Sequence, residues 1–188
     1  DGSTDNSKKI VKDIKINNKL IYFEHETNMG YSKTLSSGIK IANDEGYILV
    51  MDADHQFKFE NVIDLLDHTG QYDIIAGQRL NRQDGLMRKS LGIFWSLIGR
   101  FIFKTSIKDL NCGFKLFRAD LIKKIKLDSI GPGFNLEVFS DPIIRDSRIK
   151  IVEIPHYPRR YGNQSGIRMK TVLCSFKDLR IIFNKRFF

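Results

Sequence analysis

Four consecutive apolar residues, Tyr47-Ile48-Leu49-Val50, form the segment that most constrains the fold. They lack the polar alternation of a half-exposed strand, which is typical of a parallel strand buried on both faces. Segments of helical period flank the run at 31–43 and 59–67, and a second apolar run at 73–76 reads as another strand. This order of strands and helices predicts an α/β fold in which a mostly parallel sheet carries helices on both faces.

The rest of the chain continues the same pattern. We predict further strands at 20–23, 114–117 and 149–155, polar loops at 78–89 and 157–168, and helices at 5–15, 90–103, 119–125, 134–146 and 169–183. Pro142 must kink or interrupt the helix at 134–146, because proline lacks the backbone N–H that a helix needs. With 188 residues, the chain fits one domain, residues 1–188, with a sizeable core. The opening Asp1-Gly2-Ser3-Thr4-Asp5 lacks a Met, and we expect a strand of the same fold to precede it.

The chain carries a strong positive charge. Its formal net charge is +9, from 31 basic and 22 acidic residues. The excess fits either a solvated basic surface or an anionic partner, such as nucleic acid, nucleotide phosphates or acidic lipid headgroups. Cys112 and Cys174 lie far apart, and the histidines do not flank them at zinc-site spacing, so we expect reduced thiols. No uninterrupted apolar run in the sequence reaches the length that spans a bilayer.

Two carboxylates follow the buried strand at 47–51. Asp52 and Asp54 are two residues apart, and side chains with this spacing point to the same side of an extended chain. Ligands of open α/β sheets bind beyond the carboxyl ends of the strands. Mg²⁺ and Mn²⁺ prefer carboxylate, phosphate and water oxygens. The spacing therefore indicates a divalent metal site in which Gln56 offers a further oxygen, and a solvated strand end with a helix cap is the alternative interpretation.

Motifs along nearly the whole chain resemble, in order, those of family 2 glycosyltransferases with the GT-A fold. The first three are Asp1-Gly2-Ser3-Thr4-Asp5-Asn6-Ser7, Asn28-Met29-Gly30 and Asp52-Ala53-Asp54-His55-Gln56. The later ones are similar to motifs of dolichyl-phosphate and polyprenyl-phosphate sugar synthases, namely Gly77-Gln78-Arg79, Asp109-Leu110-Asn111-Cys112-Gly113-Phe114, Glu153-Ile154-Pro155 and Arg159-Arg160-Tyr161-Gly162. The resemblance implies that residues 1–77 bind the nucleotide sugar and residues 78–168 bind the acceptor.

In that family the third motif binds the metal that holds the donor diphosphate. The resemblance therefore assigns Mg²⁺ or Mn²⁺ to Asp52, Asp54 and Gln56. The opening motif is similar to the loop that holds the nucleoside, where Asp1 would contact the base or ribose, and a helix cap at residues 3–5 is compatible with this role. The resemblance implies that the substrates contact Asp1, Ser3, Asp5, Asn28, Gly30, Lys33, Asp52, Ala53, Arg79, Arg88, Arg159 and Arg160.

Basic residues cluster after two of the predicted strands. Arg79, Arg82, Arg88 and Lys89 follow the predicted strand at 73–76. Arg159, Arg160 and Arg168 follow the predicted strand at 149–155. Arginine is suited to binding phosphate through paired hydrogen bonds, although a solvated basic loop is the alternative for each residue. The resemblance implies that Arg79, Arg160 and Asp109 are catalytic, with Asp109 acting in orientation or as a base. Cys112 stands where the family usually has Ser, and we expect a tolerated small residue rather than a reactive thiol.

The combined pattern predicts an inverting, metal-dependent glycosyltransferase. It would move a hexose from a nucleoside diphosphate sugar, GDP-mannose or UDP-glucose, to polyprenyl or dolichyl phosphate. A phosphomonoester is largely dianionic at neutral pH, because its second pKa is about 6, so it needs little deprotonation. We expect the protein at the cytoplasmic face of a membrane, peripheral or anchored by segments outside this sequence. Residues 90–103 are interpreted as a core helix, and residues 169–188 as either a core helix or a membrane-proximal helix.

Three other interpretations remain open. A family 2 transferase that acts on a saccharide or protein hydroxyl would require a true general base. A basic nucleic-acid-binding module would show steeply salt-dependent binding, but the sequence has no aromatic-rich motif to support it, and we expect no nucleic-acid partner. A degenerate, non-catalytic domain is opposed by the intact Asp52, Asp54 and Gln56.

Overall fold

Strands and helices alternate along the first half of the chain, as the sequence pattern predicts. The computed structural model describes residues 1–14, 20–81, 83, 85–105, 107–159 and 169–188. The predicted site residues Arg82, Arg160 and Arg168 lie outside the described residues. The strands are β1 (Tyr47–Met51), β2 (Ile74–Leu80), β3 (Phe114–Arg118) and β4 (Ile149–Pro155). The helices are α1 (Ser7–Asp13), α2 (Tyr31–Ile41), α3 (Val62–Leu66), α4 (Leu86–Ile102), α5 (Ala119–Ile122), α6 (Phe134–Ser140), α7 (Pro142–Arg145) and α8 (Met169–Phe187).

Three strands run in one direction and β3 runs against them. Within the described residues the sheet has the order β1-β3-β2-β4, in which β2 pairs in parallel with β4, and β3 pairs antiparallel with both β1 and β2. The α/β prediction is confirmed, but the sheet is mixed, because two of these three pairings are antiparallel. The direction of β3 cannot be read from its own residues, since a strand buried on both faces is an apolar run in either direction.

The two inner strands of the sheet, β2 and β3, are largely buried on both faces. Ile74 and Ala76 of β2 pack into one apolar cluster and Ile75 into the other, and all three are 0% exposed. The first cluster extends to Phe134 of α6, and the second to Leu65 of α3. The prediction that helices cover both faces is therefore confirmed.

Helix α4 packs on the protein through its small residues. Its buried residues are Gly92, Ser96 and Gly99, and a Cβ added at Gly99 would lie 3.2 Å from Leu110 Cδ2. Trp95 and Ile98 also pack against the core, but several other large apolar side chains point outward, and Phe101 is 77% exposed. The core-helix interpretation of this segment is therefore only partly right, because one face of the helix packs on the protein and the other carries exposed apolar side chains.

The C-terminal helix α8 contacts the rest of the protein with one face. Ser175, Asp178 and Ile182 are its buried residues, and the ring of Phe176 lies 5.8 Å from the ring of Trp95 on α4, centre to centre. Within the part of the chain that the structure describes, no helix has both the length and the apolar character needed to cross a membrane.

Two boundaries near the sheet differ from the sequence prediction. Residues 20–23 form no strand with any other described segment, and Ile21 is 69% exposed, because the apolar run has no neighbouring strand to pair with there. The predicted polar loop at 78–89 is shorter than expected, since β2 continues to Leu80 and α4 already begins at Leu86.

The helix predicted at 134–146 is interrupted as expected at Pro142. α6 ends at Ser140, and Pro142 is the first residue of α7. The Asp141 side chain accepts a hydrogen bond from the backbone N–H of Ile143 at 3.0 Å, which caps the new helix. Proline suits this first position because the N–H it lacks would have no helical partner there.

Candidate active site

One edge of the sheet collects most of the predicted site residues. β1, β2 and β4 end at this edge, and β3 starts there because it runs in the opposite direction. Asp52 therefore follows β1, Arg79 stands near the end of β2, Asp109 precedes β3, and Arg159 follows β4. The reversal of β3 thus brings the turn at 109–113 beside the two predicted metal-binding carboxylates.

The Asp52 carboxylate lies directly against the backbone of Gly113. The N–H of Asp52 donates to the carbonyl of Gly113 at 3.0 Å, and a Cβ added at Gly113 would lie only 2.1 Å from Asp52 Oδ2. The Tyr31 hydroxyl, at the start of α2, donates to Asp52 Oδ1 at 3.2 Å. Burial and then the charge of Asp54 raise the pKa of Asp52. The two carboxylates therefore sit close enough to repel each other.

Asp54 joins the loop after β1 to the loop after β4. Its Oδ1 accepts the N–H of Gln56 at 3.2 Å, and Arg159 Nη2 lies 3.3 Å from its Oδ2. The segment is a bend rather than an extended strand, and His55 has a φ of 61°. The backbone between the two carboxylates is therefore not the extended chain of the prediction, but the charge of Asp54 still acts on Asp52 and helps to raise its pKa.

Gln56 is placed differently from the two aspartates. It is only 3% exposed, and its carbonyl accepts the N–H of Tyr157 at 3.0 Å. It lies against the protein interior, whereas Asp54 retains 16% of its side-chain exposure. Its role as a third metal ligand remains a prediction.

Arg79 and Asp109 form a two-point ion pair. Arg79 Nε donates to Asp109 Oδ2 at 2.7 Å and Nη2 donates to Oδ1 at 2.6 Å, while the Arg79 backbone N–H also donates to Oδ2 at 3.1 Å. Burial acts to raise the pKa of Asp109, but the hydrogen bonds and charge of Arg79 outweigh it and lower the pKa. Asp109 is thus an ionised residue that holds a guanidinium in place. Of the two predicted roles, this geometry favours orientation over base duty.

Asp1, in the predicted nucleoside loop, binds the backbone of the turn before α2. Its Oδ1 accepts the N–H of Met29 at 2.7 Å, and its Oδ2 accepts the N–H of Gly30 at 3.0 Å. His25 Nδ1 lies 2.9 Å from the same Oδ1. Gly30 has a φ of 93°, and a Cβ there would lie 2.4 Å from the carbonyl oxygen of Ile130. Asp1 therefore shapes the turn before α2 in this structure.

The other residues predicted to contact the donor differ in exposure and in their contacts. Asp5 Oδ1 accepts the N–H of Ser7, the first residue of α1, at 3.0 Å, and hydrogen bonds from the side chain and backbone of Ser7 lower the pKa of Asp5, whereas the N-cap residue of the helix is Asn6. The remaining residues of this group are exposed (Ser3, Asn28 and Ala53) or partly buried (Lys33). Arg88, on the first turn of α4, lies close enough for its charge to oppose the rise in the pKa of Asp52.

Two residues of the site were missed at the sequence level. Tyr31 reaches Asp52, and Lys115 lies fully buried beneath the 109–113 turn. The sequence did indicate a role for Lys115, because a lysine within the apolar strand Phe114–Arg118 is buried and therefore needs hydrogen-bond partners. Cys112 is buried, and burial raises the pKa of its thiol to about 11, which agrees with the prediction of an unreactive thiol.

The donor set fits a hard divalent cation. Asp52 and Asp54 offer carboxylate oxygens at one strand end, and a cation between them would relieve the repulsion that helps raise the pKa of Asp52. No group of three His, Cys, Asp or Glu side chains that could hold a metal converges among the described residues. Mg²⁺ is usually bound by one or two carboxylates, with substrate phosphates and water completing the shell.

Comparison with known proteins finds matches along most of this chain. Residues 1–126 match the model of glycosyl transferase family 2. The dodecaprenyl-phosphate galacturonate synthase of Rhizobium johnstonii is 28% identical over 170 residues, covering 86% of this chain and 49% of that protein. The undecaprenyl-phosphate mannosyltransferase of Micrococcus luteus is 27% identical over 139 residues, covering 69% of this chain and 56% of that protein. The chain spans about half the length of the curated relatives it matches.

A solved structure shares the fold. Glucosyl-3-phosphoglycerate synthase from Mycobacterium tuberculosis, in complex with phosphoglyceric acid, aligns with a TM-score of 0.66 and 14% identity over 98% of this chain and 67% of that chain. The same enzyme with Mn²⁺, UDP-glucose and phosphoglyceric acid aligns with a TM-score of 0.62 and 14% identity over 82% of this chain and 55% of that chain. The likeness confirms the predicted GT-A fold.

Proposed function

The chain belongs to glycosyl transferase family 2, and on that premise we propose that it transfers a hexose from a nucleoside diphosphate sugar to a polyprenyl or dolichyl phosphate. GDP-mannose and UDP-glucose are the proposed donors, and the transfer inverts the anomeric configuration. Both relatives described above are polyprenyl-phosphate sugar transferases by name, which supports this class of acceptor. Residues 1–77 are the proposed donor half and residues 78–168 the proposed acceptor half.

One observation carries the proposal: a pair of carboxylates and a pair of arginines meet at one edge of the sheet. Asp52 and Asp54 supply negative charge for a cation, and Arg159 is 3.3 Å from Asp54. Arg79 is held rigidly by Asp109, with only 4% of its side chain exposed. A reaction between two phosphorylated substrates would use such a site, because the cation and the more exposed arginines such as Arg159 would offset phosphate charge, while Asp109 keeps Arg79 in place.

The proposed reaction is a single displacement at the anomeric carbon. An oxygen of the acceptor phosphate forms the new bond to that carbon, and the bond to the donor diphosphate breaks, so that the nucleoside diphosphate leaves with the electron pair. Mg²⁺ or Mn²⁺, held by Asp52 and Asp54 with Gln56 as the proposed third ligand, would supply Lewis-acid stabilisation of the leaving diphosphate. Arg88 and Arg159, and Arg160 outside the described residues, are the proposed phosphate-binding cations.

The engagement of Asp109 favours a phosphate acceptor over a hydroxyl acceptor. A hydroxyl must lose a proton to a base during transfer, but the carboxylate of Asp109 already accepts three hydrogen bonds from Arg79. A phosphomonoester has a second pKa of about 6 and arrives largely dianionic. The site therefore needs to position and neutralise the acceptor more than to deprotonate it.

The lipid end of the acceptor is proposed to approach along α4. A cleft of about 210 Å³ is lined by Gln78, Arg79, Gly92, Ile93, Ser96, Lys108 and Asp109. It connects the ion pair at the sheet edge with the outward-facing side of α4, where Ile93 is 58% exposed and Phe101 is 77% exposed. This arrangement supports a peripheral position at a membrane surface, for which the proposed side is the cytoplasmic face and α8 is the proposed membrane-proximal helix.

The proposal is tested by incubating the protein with labelled nucleotide sugars and two classes of acceptor. Membranes that contain the protein are given each labelled donor with polyprenyl phosphate or with soluble saccharides. We expect label in an organic-extractable, mild-acid-labile lipid. Transfer to the soluble saccharide and none to the lipid phosphate would establish the hydroxyl-acceptor alternative instead. Strong binding of RNA by the protein, unaffected by loss of Asp52 and Asp54, would support the nucleic-acid alternative.

A further inference from the structure

Lys115 is a buried cation that contacts the active-site turn from below. It belongs to β3 and is 1% exposed. Its Nζ donates to the carbonyl of Leu110 at 3.1 Å, to the carbonyl of Cys112, and to Oδ1 of Asn135 on α6 at 3.1 Å. An ammonium group has three N–H donors, and these three acceptors satisfy all of them. All three acceptors are uncharged, so this contact set contains no direct ion pair.

The turn that Lys115 holds carries two active-site contacts, one at each end. At the first end, Asp109 accepts the Arg79 guanidinium at 2.6 and 2.7 Å. At the other end, the carbonyl of Gly113 accepts the N–H of Asp52. The Asp52 carboxylate lies so close to Gly113 that a side chain at position 113 would not fit. Lys115 binds two carbonyls between these ends. Its three bonds therefore fix the spacing between the arginine and the carboxylate of the site.

Burying a lysine beneath this turn is energetically unfavourable unless its charge or its N–H donors have a role there. Moving an ammonium into a protein interior is unfavourable even after relaxation, and an apolar residue of similar volume avoids that cost. Burial lowers the pKa of Lys115, while the negative charge of Asp109 opposes this change. The charge of Lys115 also favours the ionised forms of Asp52 and Asp109. We therefore expect Lys115 to stabilise the 109–113 turn rather than the apolar core that surrounds it.

We propose that Lys115 is a positioning residue for the sugar transfer: its three hydrogen bonds set the 109–113 turn, which aligns Arg79 with the carboxylate of Asp52. This inference rests on the proposed function. Lys115 does not touch the substrates, since it lies beneath the turn. It acts through Asp109 at one end and Gly113 at the other.

The test compares Lys115→Met with the matched control Lys150→Met. Lys150 lies on β4, where its Nζ stands 5.8 Å above the Tyr72 ring, away from the turn. We expect Lys115→Met to lower kcat about 100-fold, the scale of loss that a misplacement of about 1 Å can cause, with a smaller change in the KM for the donor. The assay is run well below the measured melting temperature, so that a lower folded fraction cannot account for the loss. Lys150→Met should keep the kcat of the wild type.

A second pair of variants keeps the inference testable if Lys115→Met does not fold. Lys115→Arg retains the charge and donors and should recover part of kcat. Asn135→Ala removes one of the three acceptors and should lower kcat by a smaller factor in the same direction. Folded Lys115→Met or Asn135→Ala with the kcat of the wild type would overturn the inference.

The failure of the proposed function is recognised separately. If the wild type transfers no sugar to polyprenyl phosphate, that function fails. The variants are then compared by calorimetric binding of a nucleoside diphosphate with Mn²⁺. Weaker binding by Lys115→Met than by Lys150→Met would still support a positioning role for Lys115, and equal binding would overturn it.

Discussion

The contact between Asp52 and Gly113 shows how one missing side chain shapes the site. The Asp52 carboxylate occupies the space that a Cβ at position 113 would take, with Oδ2 at 2.1 Å and Cγ at 2.4 Å from that position. Real Cβ atoms do not approach other heavy atoms this closely, so any larger residue at 113 must displace the carboxylate or the turn. The absence of a side chain at Gly113 therefore allows the Asp52 carboxylate, the proposed metal ligand, to lie at this position.

Gly113→Ala is expected to weaken metal-dependent donor binding without unfolding the protein. The added methyl group displaces Asp52, and changes in the groups that orient a metal ligand typically cost about 10-fold to 100-fold in metal affinity or activity. Binding of UDP or GDP is measured by calorimetry across a Mn²⁺ titration. Gly38→Ala is the control, because Gly38 lies within α2 and has nothing within 4 Å of an added Cβ. Equal binding by Gly113→Ala and the wild type would contradict this role of Gly113.

Individual site residues could be predicted when a motif carried them. Asp52, Asp54, Arg79 and Asp109 were identified from local sequence, and the structure brings them to one edge. The partners of these residues could not be identified in the same way. Tyr31 precedes Asp52 by 21 residues and reaches it only once α2 has packed against α6, where the Tyr31 ring contacts Phe134, so its hydrogen bond is a property of the fold.

Charged side chains of helix α8 bind it to the segment at residues 128–137. Asp178 Oδ1 accepts the N–H of Ile130 at 2.9 Å, and its Oδ2 accepts the N–H of Gly133 at 2.8 Å. Lys185, near the end of the helix, donates to Glu137 Oε1 at 2.9 Å. The loop fixed by these bonds continues to Gly131, whose carbonyl accepts the N–H of Ser32 in α2. The last helix thus supports the start of α2 through the 128–137 segment.

Glu137 should make the stability of the protein depend on pH. Its side chain is 0% exposed, and although burial acts to raise its pKa, the Lys185 contact and the N–H groups of Asp128 and Ser129 lower it below the ordinary value. A carboxyl with a lowered folded-state pKa stabilises the fold above its unfolded pKa, about 4.3, and this contribution is lost as pH falls through the folded-state pKa. The free energy of unfolding, measured with urea, should therefore fall as pH is lowered below about 4.

The variant Glu137→Gln tests this assignment. It should lose about 2 kcal/mol at pH 7, the scale of a hydrogen bond to a charged group, and its free energy of unfolding should depend less on pH below about 4. Glu60→Gln, at an exposed position on the 3₁₀ turn Phe59–Asn61, is the control. An unchanged pH dependence in Glu137→Gln would show that other carboxyl groups cause the acid loss.

The elements were predictable where a local pattern decides them. The apolar run of β1, the helical period of α2 and the break at Pro142 all appear at or near the predicted positions. Sheet pairing was not predictable, because the direction of β3 and the lack of a described partner for residues 20–23 depend on segments distant in sequence. The outward face of α4 was missed for a similar reason, since burial of Gly99 rather than Phe101 depends on what packs against the helix.

At the scale of the whole molecule, positive charge and exposed apolar side chains occur together. The net charge is +9, and an outward stripe on α4 includes Ile93, Leu97 and Phe101, which are 58%, 42% and 77% exposed. Their spacing of four residues places them on one face of the helix. Amphipathic helices of this kind bind membranes through apolar burial and attraction to anionic lipids. This combination supports the proposed membrane partner.

The protein should therefore bind vesicles that contain anionic lipids, and binding should weaken as salt is raised. Phe101→Asp should reduce sedimentation with these vesicles, because it places a charge in the apolar stripe. Phe59→Asp is the matched control, since Phe59 is 65% exposed but lies next to α3 rather than on α4. Equal loss in both variants would show that general charge, and not the α4 stripe, controls binding.

The most direct measurement is sugar transfer to polyprenyl phosphate by the wild type and by the double variant Asp52→Ala/Asp54→Ala, with Mn²⁺ present, removed by EDTA and restored. The control is Asp64→Ala/Asp67→Ala, which removes two exposed carboxylates from the region of α3. The wild type and the control should form labelled lipid only when the metal is present, and the Asp52/Asp54 variant should form none under any condition while remaining folded. Full transfer by the folded Asp52/Asp54 variant would contradict the proposed site.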